Sequence, residues 1–461
     1  MKKKKILIIV DQTQRDLDGT MLLTNELLKK NYEIFLVSQY DFHLVPFLEP
    51  NLIILHHGRM IKEGSSGNDI IIKFANKIGI QLVVLDNEGS INFKPNHYLI
   101  NVVNTAKYVD KYFLWNNFYK EKINKKIKNK KILNKIIATG SPRSDLYHPI
   151  YYKLFFKNFK INFKKYILIN TNFTHYNSIK SNRSENKKFF EKTIKKDFNK
   201  NLISEDKLSF NFFLKNLHNL IKECKNINFI LRSHPFENSE IYKKNFKKYK
   251  NVSINDSNSV IPYLYNCSGL IHRNSTSALE ADYLNKYSIF FDHKKKYKYW
   301  DIFEELKKIS KYINNYKMLK KTVYKIYNTK KRKVTSSLSI RYLGPKNGDN
   351  HKKIANEIDK LLKKNKVTKK QNLFYFFRIV FLLRGIKSFT LLIKYLVGSF
   401  NWQILKQNVL LNFNNRFIEN KKLTPKLIIK YKKLFKELHF ERVKINNSFL
   451  NQKNYYIWKI F

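Results

Sequence analysis

The chain has 461 residues, 43% hydrophobic and 15% aromatic, which is too long for one ordinary domain and too apolar for a disordered protein. Its formal net charge is +55, but the excess is mostly lysine, is spread over every segment and accompanies no nucleic-acid-binding module. Nucleic acid is therefore excluded as a partner, and the basic surface favours nucleotide-sugars and acidic lipid head groups.

The chain opens MKKKKILIIV. A basic start before an apolar run imitates a signal peptide, but five apolar residues before Asp11 with no small-residue cleavage site read as a buried first strand. Up to about residue 140 the apolar runs ILIIV, EIFLVS, NLIILHH, QLVVLD, KYFLW and KIIATG alternate with helical patterns such as GTMLLTNELLKKN. That alternation predicts a parallel sheet covered on both faces. A Pro-containing stretch near residues 145–165 suits a hinge, and the pattern then restarts with KKYILINTN, NINFILRSH, NVSIN, GLIHRN and YSIFFD. The expected fold class is α/β, with two doubly wound domains at residues 1–150 and 160–345. A helical, basic and apolar extension is expected over 346–461.

Within that extension, residues 373–400 are the most apolar part of the chain, interrupted by Arg378, Arg384, Lys387 and Lys394. No uninterrupted span reaches the roughly 20 apolar residues of a transmembrane helix. Two readings stand: amphipathic helices packed on the domains, or a basic helix lying at a membrane surface. The two cysteines, Cys224 and Cys267, exclude a disulfide scaffold or a cysteine-rich metal site and fit a reduced, cytoplasmic setting.

Doubly wound sheets bind ligands outside the carboxyl ends of their strands, so the residues after each strand matter most. After QLVVL come Asp86, Asn87, Glu88, Gly89 and Ser90. After NINFIL come Arg232, Ser233, His234 and Pro235, and after GLIHR come Asn274, Ser275, Thr276 and Ser277. The last cluster precedes a helix, where it reads either as a plain N-cap or as a phosphate grip made of hydroxyls and helix-terminal N–H groups. His234 reads as a structural histidine or as a group that stabilises or protonates a phosphate leaving group, with Arg232 beside it. Glu88 is the carboxylate able to take a proton from an attacking hydroxyl, with Asp86 as its substitute, and Gly89 lets substrate approach the backbone. His56-His57 reads as a loop touching substrate. No GxGxxG, Walker loop, HExxH or Cys/His metal spacing occurs, so no metal site and no cofactor are expected.

RDLDG (15–19), DNEGS (86–90), ATGSPRSDL (138–146), LRSHPFEN (231–238) and LIHRNSTSALEA (270–281) follow one another in the order seen in bacterial surface carbohydrate biosynthesis proteins. The chain resembles these two-domain GT-B glycosyltransferases over residues 6–292. The acidic-Gly, His-Pro and Ser/Thr motifs are also similar to those of bacterial sialyltransferases and Kdo transferases. The resemblance implies Glu88 as base, His234 at the donor phosphate, and Ser275, Thr276 and Ser277 as the phosphate grip. Arg232, Asn274 and Glu280 are expected on the donor side. Arg15, Asp16, Gly19, Asp86, Gly89, Arg143 and Asn172 are expected along the substrate cleft. One departure matters: relatives carry two adjacent acids before the Gly, and here the first is Asn87.

The expectation is a cytoplasmic, metal-independent glycosyltransferase of surface polysaccharide assembly, at the inner face of the membrane if residues 373–400 bind there. It would use a nucleotide-sugar, with a CMP-linked acidic sugar favoured, and a glycan or lipid-linked acceptor. A polyol-phosphate transferase, a sugar-nucleotide epimerase on the same fold and a non-catalytic membrane scaffold are the alternatives.

Overall fold

The computed structural model describes residues 3–38, 48, 50–58, 71–72, 75–76, 79–86, 89, 95–177, 196–235, 237–255, 259–294, 304–329, 334–364, 422–442 and 457–461. They form two compact units. One holds the described residues of Met1–Phe155, Gly344–Leu411 and Ile418–Phe461, and the other is built essentially from Phe156–Leu343. In chain order the first unit runs β1 (Lys5–Val10), α1 (Thr13–Lys29), β2 (Glu33–Ser38), β3 (Leu52–Leu55), β4 (Gln81–Leu85), β5 (Lys111–Leu114), β6 (Ile136–Ala138) and α2 (Pro142–Asp145). The second contains β7 (Ile167–Asn170), α3 (Lys196–Glu223), β8 (Phe229–Arg232), β9 (Val252–Ile254), α4 (Ile261–Asn266), β10 (Gly269–His272), α5 (Ser277–Tyr283), β11 (Tyr287–Phe291) and β12 (Lys311–Ile313). The chain then adds α6 (Asn350–Lys364), α7 (Pro425–Leu434), β13 (Phe440–Arg442) and β14 (Ile457–Ile460) to the first unit. Further helices connect these elements.

The second sheet has strand order β12-β11-β10-β7-β8-β9 and is parallel throughout. Taken from β7, this is the 3-2-1-4-5-6 order of a Rossmann unit, whose switch point lies between the first and fourth strands. Its core explains why the runs are strands: Ile167, Ile169, Phe229, Leu231, Ile271, Ile289 and Phe291 pack under Phe213, Leu217, Leu220 and Ile221 of α3. Each such side chain contributes on the order of 1.5–3 kcal/mol when removed from water.

The first sheet has order β13-β14-β2-β1-β3-β4-β5-β6, with β1 to β6 parallel. Its switch point lies between β1 and β3. Residues after 346 depart here from the expected separate helical extension. Strand β14 pairs antiparallel with β2, Ile457 opposite Val37, and β13 pairs antiparallel with β14. The physical reason is that β2 would otherwise present an edge of unpaired N–H and C=O groups, while Ile457, Trp458 and Ile460 need burial. Helix α6 also belongs to this unit. Its Ile354, Ala355, Ile358 and Leu362 recur at helical spacing and are buried. Tyr32 Oη donates to Asp359 at 2.7 Å, and Asp145 accepts from the backbone N–H and Nδ1 of His351, both at 2.8 Å.

Among the described residues, no helix is long and apolar enough to cross a membrane. The segment 373–400 lies outside the described residues.

Candidate functional site

In the second unit the loop leaving β7 ties the two expected motif loops together. Asn170 Nδ2 donates to Ser277 Oγ at 2.9 Å, and Asn172 Nδ2 donates to the carbonyl of Asn274 at 2.9 Å. On its other side, Thr171 Oγ1 and the N–H of Phe173 both donate to Glu237 Oε1 at 2.9 Å. Glu237 is fully buried and also accepts from Tyr242 Oη at 2.6 Å and from the N–H of His234 at 3.4 Å. Burial raises its pKa, and the bonds from Tyr242, Phe173 and Thr171 offset only part of that rise.

His234 is half-buried, and its carbonyl accepts from the N–H of Glu237 at 2.8 Å, closing the turn that presents the ring. Burial lowers its imidazole to about 4, so at neutral pH the ring is uncharged. A neutral imidazole can donate one hydrogen bond and accept another. Arg232 stacks its guanidinium 4.6 Å from the Tyr263 ring centroid and reaches Asn255 Oδ1 at 3.5 Å.

The Ser/Thr cluster departs from a simple cap. Thr276 is the N-cap of α5 but makes no side-chain capping bond, and α5 has only seven residues. Ser275 N–H donates to His272 Nδ1 at 3.3 Å, Ser277 N–H to Ser275 Oγ at 3.4 Å, and the N–H groups of Ala278 and Leu279 to the carbonyls of Ser275 and Thr276. The backbone donors expected to grip phosphate are thus largely engaged, and the hydroxyls remain: Ser275 half-buried, Thr276 exposed and Ser277 buried against Asn170. Asn274 adopts the left-handed region with φ +44°, which Asn tolerates better than most residues, and its side chain is fully buried. Glu280 is buried in the first turn of α5.

Beneath this corner lies a charge network that sequence reasoning missed. Arg273 is fully buried, 2.5 Å from Asp206 and 3.1 Å from Asp292, and it donates to the carbonyl of Asn172 at 2.9 Å. Ser209 Oγ donates to Asp292 at 2.6 Å, and the N–H of Tyr176 to Asp206 at 2.8 Å. His272 is also buried, with Nε2 2.9 Å from Ser310 Oγ. The one sequence signal for these residues was their position: Asn170, His272 and Arg273 end or directly follow strands at the switch point.

In the first unit the switch point gathers Asp11 after β1 and His56-His57 after β3. Arg15 Nε lies 2.9 Å from Asp16 Oδ1 and Arg15 Nη2 3.3 Å from Asp11 Oδ2, and His57 Nε2 is 4.0 Å from Asp11. Burial works against the charge on Arg15, but Asp16, Asp11 and Asp86 outweigh it and its pKa is raised. Thr20 Oγ1 donates to the carbonyl of Asp16 at 2.7 Å, so at 3.2 Å from His56 Nε2 it can only accept, which places the proton of His56 on Nε2. A pocket here is lined by Asp16, Gly19, Thr20, His56, Leu85, Trp115, Ser141, Pro142 and Arg143. Gly19 is required for packing: a Cβ would stand 2.9 Å from the backbone of Pro142 and Arg143.

Asp86, expected as the substitute base and along the cleft, is held by aromatic side chains. Its carboxylate accepts from the phenols of Tyr98 and Tyr112, and its carbonyl accepts from the Trp115 indole. The Gly89 carbonyl accepts from Asn116 at 3.1 Å. Glu88, with Asn87, lies outside the described residues. Among the described residues no group of three His, Cys, Asp or Glu could hold a metal ion.

No protein-family model matches the chain, and no curated protein sequence matches it. Solved structures do. A variant of the wall teichoic acid polymerase TagF soaked with CDPG aligns with a TM-score of 0.50 at 14% identity, over 78% of this chain and 89% of that one. S. aureus MnaA with UDP aligns with a TM-score of 0.49 at 14% identity, over 79% and 99%. The Methanocaldococcus jannaschii UDP-GlcNAc 2-epimerase with UDP-GlcNAc and UDP aligns with a TM-score of 0.47 at 15% identity, over 78% and 100%. The fold is GT-B-like, with two Rossmann-like units.

Proposed function

We propose that the chain is a glycosyltransferase of cell-surface polysaccharide biosynthesis that uses a nucleotide-activated sugar, with a CMP-linked acidic sugar as donor. The observation that carries this reading is the second unit's switch point, where Asn170 and the Ser275–Ser277 hydroxyls meet at the ends of β7 and β10. His234 follows β8, which pairs with β7 on the side away from β10.

In the proposed reaction an acceptor hydroxyl oxygen bonds to the anomeric carbon and the carbon–oxygen bond to phosphate breaks. The nucleotide leaves with the bonding electrons, and the hydroxyl proton passes to Glu88, the role that the motif resemblance implies. The Ser275 and Thr276 hydroxyls and His234 donate to the departing phosphate, and Arg232 contributes a fixed positive charge. The acceptor is a glycan or a lipid-linked glycan, and the basic, apolar segment 373–400 would hold the chain at an acidic membrane surface on the cytoplasmic side. Cosedimentation with anionic liposomes at low and high salt tests that contact.

A second reading, transfer of a polyol phosphate, draws on the shared fold of TagF, studied with CDPG. A donor panel of CMP-linked acidic sugars, UDP-sugars and CDPG separates the two by nucleotide release. Release from a CMP-linked acidic sugar that Glu88→Gln abolishes is the expected result. Release from CDPG alone would favour the second reading, and release from none would remove both.

A further inference from the structure

The hydroxyls of Ser275 and Ser277 lie 2.8 Å apart, and geometry alone allows either to donate. Their surroundings decide. Ser277 is buried and its oxygen already accepts from Asn170 Nδ2 at 2.9 Å, so the acceptor beside it for its own proton is Ser275 Oγ. Ser275 Oγ accepts that proton and the Ser277 N–H, which leaves its own hydrogen directed outward from a half-buried position. The opposite order would require the Asn170 amide reversed. A buried N–H, not a buried carbonyl oxygen, would then be left without a partner, and orphaned N–H groups are the rarer and less tolerated of the two.

We propose that Asn170 is a positioning residue that sets the proton order Asn170 N–H to Ser277, Ser277 O–H to Ser275, and Ser275 O–H to an anionic oxygen of the ligand. The chain makes the switch point of the second unit a hydrogen-bond donor and therefore suited to a phosphate ester. Each bond polarises the next, so the outermost donor is stronger than an isolated hydroxyl. His272 supports the arrangement by accepting the Ser275 N–H at Nδ1 while Nε2 faces Ser310. This inference rests on the phosphate placement of the proposed function and adds the residue that orders it.

A double-mutant cycle on the full chain tests it, with affinities for CMP, UDP and inorganic pyrophosphate measured by titration calorimetry. Ser275→Ala should weaken binding by about tenfold or more, as loss of a hydrogen bond to a charged group does. Asn170→Ala should weaken it by about threefold in the wild-type background and leave it unchanged in the Ser275→Ala background. Ser277→Ala interrupts the chain at its middle, so Asn170→Ala should cost nothing further there either, which keeps the test available if one variant folds poorly. An equal cost of Asn170→Ala in all backgrounds, or none in the wild type, overturns the proton order while leaving the phosphate placement intact. Unchanged affinity in Ser275→Ala, or no binding of any probe by the wild type, overturns both.

Discussion

Arg273 Nη1 lies 2.5 Å from Asp206 Oδ1, and neither side chain reaches solvent. Asp292 is the second carboxylate on the same guanidinium, and the Asn172 carbonyl takes a further bond from it. This network underlies the loop after β7, which carries Asn172 close to Asn170 at the strand end. Arg273→Ala would leave two buried carboxylates without their cation, a loss of about 3–5 kcal/mol. Arg273→Lys would recover little of it, because an ammonium cannot reproduce the planar fork. Denaturant titration checks both, and a loss under about 1 kcal/mol for Arg273→Ala would contradict the network's importance.

His234→Ala should reduce turnover on the order of 100-fold while the thermal midpoint stays within a few degrees of the wild type. His234 follows β8 in a turn where its carbonyl accepts from the Glu237 N–H and its N–H donates to the Glu237 carboxylate, so removal of the ring leaves the turn intact. Near-wild-type nucleotide release from the variant would make the histidine structural.

Acid should destabilise the second unit in a defined window. Burial lowers His234 to about 4 and His272 to about 3. An unfolded histidine binds its proton near 6.5, so between that pH and the folded values the unfolded chain holds more protons. These groups therefore contribute no loss above about 6.5, and stability falls as pH drops towards 4. Denaturation midpoints at pH 7.5, 5.5 and 4.5 should show the decline, and His272→Gln should flatten it. A slope unchanged by His272→Gln would show that carboxylates dominate.

At Gly19 the sign of one substitution separates two expectations. Alanine in a helix interior is ordinarily worth about 1 kcal/mol over glycine. Here a Cβ would meet the backbone of Pro142 and Arg143 at 2.9 Å, and neither can give way as a flexible side chain would. Gly19→Ala should therefore destabilise by about 1–3 kcal/mol. A raised melting temperature would mean that α1 and α2 separate at no cost.

Activity should survive excess EDTA. The carboxylates of the first unit's switch point gather on Arg15, a guanidinium that already compensates their charge. At the second unit's strand ends, Asp292 is engaged by Arg273 and Glu237 by Thr171 and Tyr242, beside hydroxyls, an imidazole and a guanidinium. Complete loss of nucleotide release on chelation, restored by magnesium or manganese, would reassign Asp86 and Glu88 to a metal site.

The α/β class and the strands that carry the motifs were legible because continuous apolar runs such as Ile6–Val10 and Ile167–Ile169 have few other ways to be buried. The motif loops after β8 and β10 were legible for the same reason: strand ends are where such sheets expose polar groups. Local pattern could not say that Ile457–Ile460 completes the first sheet, since pairing with Glu33–Ser38 joins residues some 420 positions apart. Nor could it show that the Asp86 carboxylate accepts from two phenols, or that the N–H groups of Ser275 and of the first residues of α5 are engaged by His272, Ser275 and Thr276. A residue's type states which protons it can give or take. Which partner takes them depends on what the fold brings within about 3 Å, and only the fold sets Asn170 against the Ser277 hydroxyl and that hydroxyl against Ser275.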